Sequence, residues 1–240
     1  MPADYALYLE SGPKRRKTMV HVIELLGCVA VGPTTEEAIE ATPEAIAAFR
    51  RFLLRCGEDV DPDAGFTTHV QEHITEGVWL GNGDPYISFG PELAPVSEGE
   101  LEVFTHRLVT LRGEIAAWAE ASTTEALETM APGSSRSTRA ILLHVLGPTG
   151  AYAAPVLGTI SGVSALHTQA DRGQIPIAEA LRQSTAIVAD KLRAATDEQR
   201  AKVVERPREV RTLRKALRRT LEHDWEHLAE LSRRPGGPSV

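Results

Sequence analysis

The sequence predicts an α+β protein built from two domains, and three observations lead to this prediction. Residues 1–95 carry 7 basic and 15 acidic side chains, whereas residues 96–240 carry 19 and 18. Glycine and proline interrupt the chain repeatedly between Gly81 and Pro95. Strand-like patterns before this stretch give way to helical spacing after it. We therefore expect a small α+β domain over residues 1–92 and a four-helix bundle over residues 97–234.

The first domain is expected to follow the order β-β-β-α-β. Three short strands are predicted within residues 5–31, with a turn at Ser11–Pro13. A last strand is predicted over Phe66–Leu80 and again over Tyr86–Phe89. Together these segments favour a small sheet.

The helix of this domain has two candidate starting points. Thr34 or Thr35 can cap free amide groups at its beginning. Thr42 and Pro43 form a second start signal, because proline is favoured at the first helical position. We expect the helical part to be broken at Pro43.

Two histidines of the first domain have metal-like spacing, but the surrounding residues favour a strand. His69 and His73 lie four residues apart among strand formers. On a strand, that separation is about 13 Å, too far to share one ion. We expect exposed strand histidines here, and Cys28 is expected to be a small buried residue.

The run ELLGCVAVGPTTEEA, residues 24–38, resembles the HicB-like module. The hallmark of that module is a Gly-Cys turn, a glycine, and a Thr-x-Glu-Glu-Ala helix entry. The resemblance covers about residues 4–90. It implies a partial ribonuclease-H-like fold and a module for oligomerisation or for binding a protein partner, as in antitoxins that cover a small RNase toxin.

The second domain shows four helical segments. Ser97 followed by Glu100 is a capping-box signature for the first. The four segments are predicted at 97–121, about 135–146 with an interruption at Gly147-Pro148, about 176–195, and about 209–233. The stretch 158–173, which contains His167, is expected to be a loop that sets specificity.

The last helix carries the residues with the clearest chemistry. His223 and His227 lie one turn apart on the same face. Neutral imidazoles at this spacing bind a divalent ion at about 2.0 to 2.1 Å. A third ligand must come from another helix, and His144 is the natural candidate. On spacing alone, an ordinary core or surface histidine explains each residue equally well.

Several segments of this domain resemble the DinB-like bundle family. Residues 139–145, RAILLHV, followed by Tyr152, resemble its second helix, and residues 211–228 its fourth. Leu111-Arg112-Gly113-Glu114 with Trp118 fits its first helix. The resemblance covers about residues 97–234 and implies a divalent metal, most readily zinc or nickel, held by His144, His223 and His227 with waters. It also implies an activity such as that of a thiol-dependent S-transferase or a metal-dependent hydrolase.

Charged residues near these histidines allow two interpretations each. Asp224 either contacts and orients a metal-binding histidine or is an ordinary acid on the helix surface. The basic residues between Arg211 and Arg219 lack interleaved aromatics, so a solvated helix face is favoured over a nucleic-acid surface.

Composition excludes several classes of protein. Two cysteines cannot staple a secreted disulfide fold, and no apolar run reaches the roughly 18 residues of a membrane helix. We expect a cytoplasmic homo-oligomer that acts on a small molecule or a low-molecular-weight thiol, without membrane or nucleic-acid partners. The alternative is a non-enzymatic interaction protein that binds a protein partner through the HicB-like module.

Overall fold

The computed structural model describes residues 2–12, 17–131 and 134–240. The protein is a mixed α+β structure in which about half of the residues are helical and a small sheet is present. Its chain divides into two compact units, Met1–Val96 with Arg200–Glu222, and Ser97–Gln199 with His223–Val240. The predicted domains did not anticipate the grouping of Arg200–Glu222 with the first unit, because local spacing carries no information about packing between distant segments.

Four strands form the sheet of the first unit, in the order β3-β2-β1-β4. They are β1 (Ala3–Gly12), β2 (Lys17–Val22), β3 (Cys28–Gly32) and β4 (Phe66–Ile74). The pairs β1–β2 and β2–β3 are antiparallel, whereas β4 runs parallel to β1. Ser11 and Gly12 of the predicted turn are the last residues of β1, and residues 13–16 lie outside the described residues.

The last predicted strand is shorter than expected. It ends at Ile74 rather than Leu80, and Tyr86–Phe89 is not a strand. The carboxylate of Asp84 accepts hydrogen bonds from the N–H groups of Val78, Trp79 and Tyr86, at 2.7 to 3.0 Å. These amides are used in a folded loop and are therefore not available for a strand ladder.

The helix of the first unit, α1 (Thr35–Arg55), is continuous, so the predicted break at Pro43 is wrong. Thr34 caps it as expected, since its Oγ1 accepts the N–H of Glu37 at 3.1 Å. Residues on both sides of the proline, including Ala38 and Ile46, are fully buried. Burial of this apolar face outweighs the loss of one backbone hydrogen bond.

The histidines and the cysteine singled out in this unit follow the sequence prediction. His69 and His73 lie on β4, where both are exposed. His69 pairs with Asp4 at 3.0 Å and His73 bonds Ser11 at 2.8 Å. Cys28 is fully buried, and burial raises the pKa of its thiol.

The segment that joins the first unit from the far end of the chain begins with a hairpin. β5 (Val204–Arg206) pairs antiparallel with β6 (Glu209–Arg211), so the prediction of a second half without strands is wrong. The last helix, α9 (Leu213–Ser232), therefore begins four residues later than predicted. Thr212 precedes it, and its Oγ1 accepts the N–H of Lys215 at 3.1 Å.

Lys215, Arg218 and Arg219 in the first part of α9 are buried, so the predicted solvated face is wrong for these three residues, whereas Arg214 is half-buried. Arg218 is 1% exposed, and its Nε lies 2.6 Å from Oε1 of Glu92. Its guanidinium also donates to Glu222, which is in turn 2.9 Å from Nδ1 of His21. Arg218 thus supplies the positive charge that balances the buried carboxylates of Glu92 and Glu222 inside the first unit.

The second unit is mainly helical in the described residues, and each of the four helices predicted for the second half lies at least partly within it. Its helices are α2 (Glu98–Ala121), α3 (Thr124–Glu128), α4 (Thr138–Leu146), α5 (Ala154–Leu157), α6 (Val163–Asp171), α7 (Ile177–Arg193) and the second part of α9, with α8 (Asp197–Ala201) at its edge. The predicted capping box of α2 is present, with Ser97 and Glu100 bonded reciprocally. The long helices α2 and α7 pack against each other.

Two features of this unit concern the chain around His144. α4 ends at Leu146, which confirms the predicted interruption at Gly147-Pro148. The stretch 158–173 contains helix α6 and is not a plain loop. In the part of the chain that the structure describes, no helix is long and apolar enough to cross a membrane.

Candidate metal centre

Helix α4 positions His144. The Oγ of Ser137 accepts the N–H of Ala140 at 3.2 Å and so caps the helix. Ile141 and Val145 are fully buried, which fixes the rotation of the helix about its axis. His144 lies beside this buried face and is exposed to solvent.

The second part of α9 supplies His223 and His227. Trp225, Leu228 and Leu231 anchor this part of the helix, because all three are buried. The two imidazoles lie one turn apart, with ring centroids separated by 4.7 Å. Both rings reach the ring of His144, at centroid distances of 5.0 Å and 4.8 Å.

The three predicted histidines therefore converge on one point. One ring nitrogen from each lies within 4.8 Å of the others, and Nε2 of His144 lies 3.3 Å from Nε2 of His223. Three nitrogens that bind one ion tetrahedrally at about 2.05 Å lie roughly 3.3 Å apart. The first pair has this spacing already, and the nitrogen of His227 lies within 4.8 Å of both.

A buried ion pair orients His223. Asp224 Oδ1 lies 3.2 Å from Nδ1 of His223, and Asp224 Oδ2 lies 2.6 Å from Nε of Arg112. Arg112 is 1% exposed and also donates to Thr149 at 2.7 Å. Burial raises the pKa of Asp224, but the Arg112 guanidinium and the bond to His223 hold it below its usual range. Asp224 is thus an ionised acceptor for the Nδ1–H of His223.

A second carboxylate orients His227, and the sequence analysis missed it. Oε2 of Glu230 lies 2.9 Å from Nδ1 of His227 and 3.0 Å from a guanidinium nitrogen of Arg136. Burial alone would raise the pKa of Glu230, but its contacts with His227 and Arg136 outweigh this effect. The pKa of Glu230 therefore lies below its usual range. The spacing His-x-x-Glu, three residues on one helix face, was the available signal.

These contacts select the tautomer that a metal needs. When Nδ1 donates to a carboxylate, Nε2 carries the lone pair, as in carboxylate–histidine–zinc arrangements. The Nε2 atoms of His144 and His223 face each other at 3.3 Å. At this distance the two nitrogens can share either one proton, as a hydrogen bond, or one cation. The donor set therefore fits a divalent ion.

Acid–base properties agree with this fit. Burial lowers the pKa of His144 to about 4, and positive charge on His227, His223 and Arg136 adds to that effect. Burial and the neighbouring His223 also lower the pKa of His227. Both rings are neutral at pH 7, the form in which imidazole binds metals.

Two further side chains lie near the triad. The ring of Tyr152 is 6.4 Å from that of His223, centroid to centroid. His167, on α6, faces Gly147, which lies one turn beyond His144. Both side chains are only partly buried.

Within the described residues, these three histidines form the group of His, Cys, Asp or Glu side chains whose spacing suits a metal ion. Comparison with protein-family models, with curated proteins and with solved structures gave no match. A function is therefore inferred from the geometry of the three histidines and from the carboxylates that contact them.

Proposed function

We propose that this protein binds a divalent metal ion, zinc or nickel, through His144, His223 and His227, as a member of the DinB-like bundle family. The observation that carries the proposal is the convergence of three imidazoles from two helices, two of which are held by carboxylates at Nδ1. Metal-binding histidines as a rule donate their other ring N–H to a carboxylate, a backbone carbonyl or water.

The bound ion would act in a thiol-dependent S-transferase or in a hydrolase. With three neutral ligands and an open position, a divalent ion lowers the pKa of a coordinated thiol or water. The remaining roles belong to side chains of the protein. Asp224 and Glu230 keep the rings of His223 and His227 in place, and Tyr152 lies beside His223, where it could contact a substrate.

Two assays separate the transferase from the hydrolase. Metal-loaded protein is incubated with a panel of low-molecular-weight thiols and an aryl chloride, where sulfur displaces chloride, and separately with a nitrophenyl ester in the absence of thiol. Thiol-dependent release of chloride that is lost in His223→Ala supports transfer. Ester cleavage without thiol, lost in the same variant, supports hydrolysis, and no turnover in either assay contradicts both.

A second function is favoured by a different observation, made on the first unit alone. Strand β4 is nine residues long, lies at an edge of the sheet and exposes most of its side chains. Together with the HicB-like residues 24–38, this edge supports a non-enzymatic module that binds a protein partner. Recovery of a defined partner by the wild type but not by Val70→Pro would support it. Equal recovery by both proteins would contradict it.

A further inference from the structure

The first unit contains a cavity of about 420 Å³ that neither of the proposed functions uses. Two segments that are distant in the sequence form its walls. One is Pro85-Tyr86, and the other belongs to the hairpin of β5 and β6 and contributes Arg206, Pro207, Arg208, Glu209 and Arg211. The volume lies within the range of small-molecule sites.

The side chain of Lys215 holds these two walls together. Its Nζ donates to the carbonyl oxygen of Pro85 at 2.8 Å, to that of Val210 at 3.0 Å and to Oγ of Ser88 at 3.0 Å. Lys215 is 4% exposed, so these hydrogen bonds are shielded from water. The spacing of the walls is therefore fixed by buried contacts.

The lining of the cavity is positively charged, with three arginines and one glutamate. Glu209 pairs with Arg211 at 2.6 Å, whereas Arg206 and Arg208 are exposed to solvent. In the described part of the chain, neither of these two side chains has an ion-pair or hydrogen-bond partner. Two guanidinium groups are therefore left to bind an anion.

Tyr86 gives the cavity an aromatic wall. Its side chain is partly exposed, and its N–H donates to Oδ1 of Asp84 at 2.9 Å, which fixes the backbone at this position. Flat rings stack on the faces of exposed aromatic side chains, and arginines bind phosphate oxygens in bidentate pairs. An aromatic ring and two arginines in one cavity suit a ligand that carries both a flat ring and a phosphate.

We propose that this cavity binds a nucleoside monophosphate, with Arg206 and Arg208 on the phosphate and the ring of Tyr86 stacked on the base. A phosphate monoester carries about 1.5 to 2 negative charges at pH 7, which the two arginines balance. The site lies in the first unit and does not depend on the proposed metal function.

Isothermal titration calorimetry of the full chain with AMP, adenosine and inorganic phosphate tests the two parts of this recognition separately. AMP should bind with a Kd below about 1 mM. Adenosine lacks the charge and phosphate lacks the ring, so each should bind at least about tenfold more weakly than AMP. Absence of AMP binding, or an AMP affinity no higher than that of either fragment, would overturn the proposal.

Variants locate the AMP site. Arg208→Gln and Tyr86→Leu should each weaken AMP binding about tenfold, whereas Tyr86→Phe should keep most of the affinity. Arg51→Gln removes an exposed arginine of α1 in the same unit and is the matched control. Wild-type affinity in Arg208→Gln, or an equal loss in Arg51→Gln, would overturn the proposal.

One more variant separates this cavity from the metal centre. His227→Ala removes a proposed metal ligand and leaves the cavity unchanged, so its affinity for AMP should equal that of the wild type. Loss of AMP binding in His227→Ala would assign the nucleotide to the histidine triad and overturn the proposal. Failure of the protein to bind metal would leave the prediction for AMP unchanged.

Discussion

Nε2 of His144 and Nε2 of His223 lie 3.3 Å apart, although the two residues are separated by 79 positions in the chain. The first belongs to α4 and the second to α9, so their approach is produced by packing within the second unit. A separation of this size suits two ligands of one tetrahedral ion. His227, one turn beyond His223, completes the set.

Removal of the carboxylate behind His227 should weaken metal binding. Glu230→Ala deletes the acceptor of the Nδ1–H, so the ring loses its fixed orientation and part of its basicity. Outer-shell partners of this kind change metal affinity by about 10- to 100-fold. The affinity is measured by competition with a chelator of known strength. Glu120→Ala, which removes an exposed carboxylate paired with Arg182, is the matched control, and an equal effect in both variants would contradict this role.

Acid should destabilise the metal-free protein through His144. Its folded pKa, about 4, is below the unfolded value of 6.5, so the unfolded chain binds more protons between these limits. Stability is therefore lost as the pH falls from about 7 to about 4. Because His144 is partly exposed, solvent screens this effect and we expect a loss on the order of 1 kcal/mol.

This pH effect is measured by urea unfolding of chelator-treated protein at pH 7 and pH 4.5. His144→Gln cannot take up the proton, so its stability should fall less than that of the wild type over the same range. Parallel losses in the two proteins would contradict the assignment.

The buried charges of the first unit should be sensitive to the loss of one partner. Arg218→Met leaves Glu92 and Glu222 without their shared guanidinium. An uncompensated buried charge costs about 3 to 5 kcal/mol, to be measured by urea unfolding. Arg193→Met removes an exposed partner of Glu102 and should cost less than about 1 kcal/mol. Similar values for the two variants would rule out a special contribution of the buried pair.

Replacement of the proline inside α1 should stabilise the protein. Pro43 has no N–H to donate to the carbonyl of Ile39, and its exposed position leaves room for alanine. Pro43→Ala should therefore raise the free energy of unfolding by about 1 to 3 kcal/mol. Glu44→Ala, at the next exposed position, should change it by less than about 0.5 kcal/mol. A decrease in Pro43→Ala would indicate that the proline relieves a strain not evident from its contacts.

Local signals in the sequence predicted what depends on neighbours along the chain. The cap at Ser97 depends on Glu100, three residues on, and the pairing of His223 with His227 depends on one helical turn. The interruption after Leu146 follows from Gly147 and Pro148 in the same way.

Features that depend on distant contacts were missed or misread. The ion pair of Arg112 joins residues 112 positions apart, and no spacing rule connects them. Arg218 was predicted to lie on a solvent-exposed helix face. It is buried instead, and its guanidinium contacts Glu92 and His21, both of which are distant in the sequence. Thr42 and Pro43 form a helix-start signal, but the packing of a long apolar face keeps α1 continuous through Pro43.

Metal content measured by elemental mass spectrometry tests the central claim most directly. Untagged wild type, His227→Ala and His167→Ala are compared after purification and again after reconstitution with zinc or nickel. His167 lies outside the triad and serves as the control. We predict about one ion per chain in the wild type and in His167→Ala, and its loss in His227→Ala. No metal in any of the three proteins, or equal metal in His227→Ala, would contradict the account.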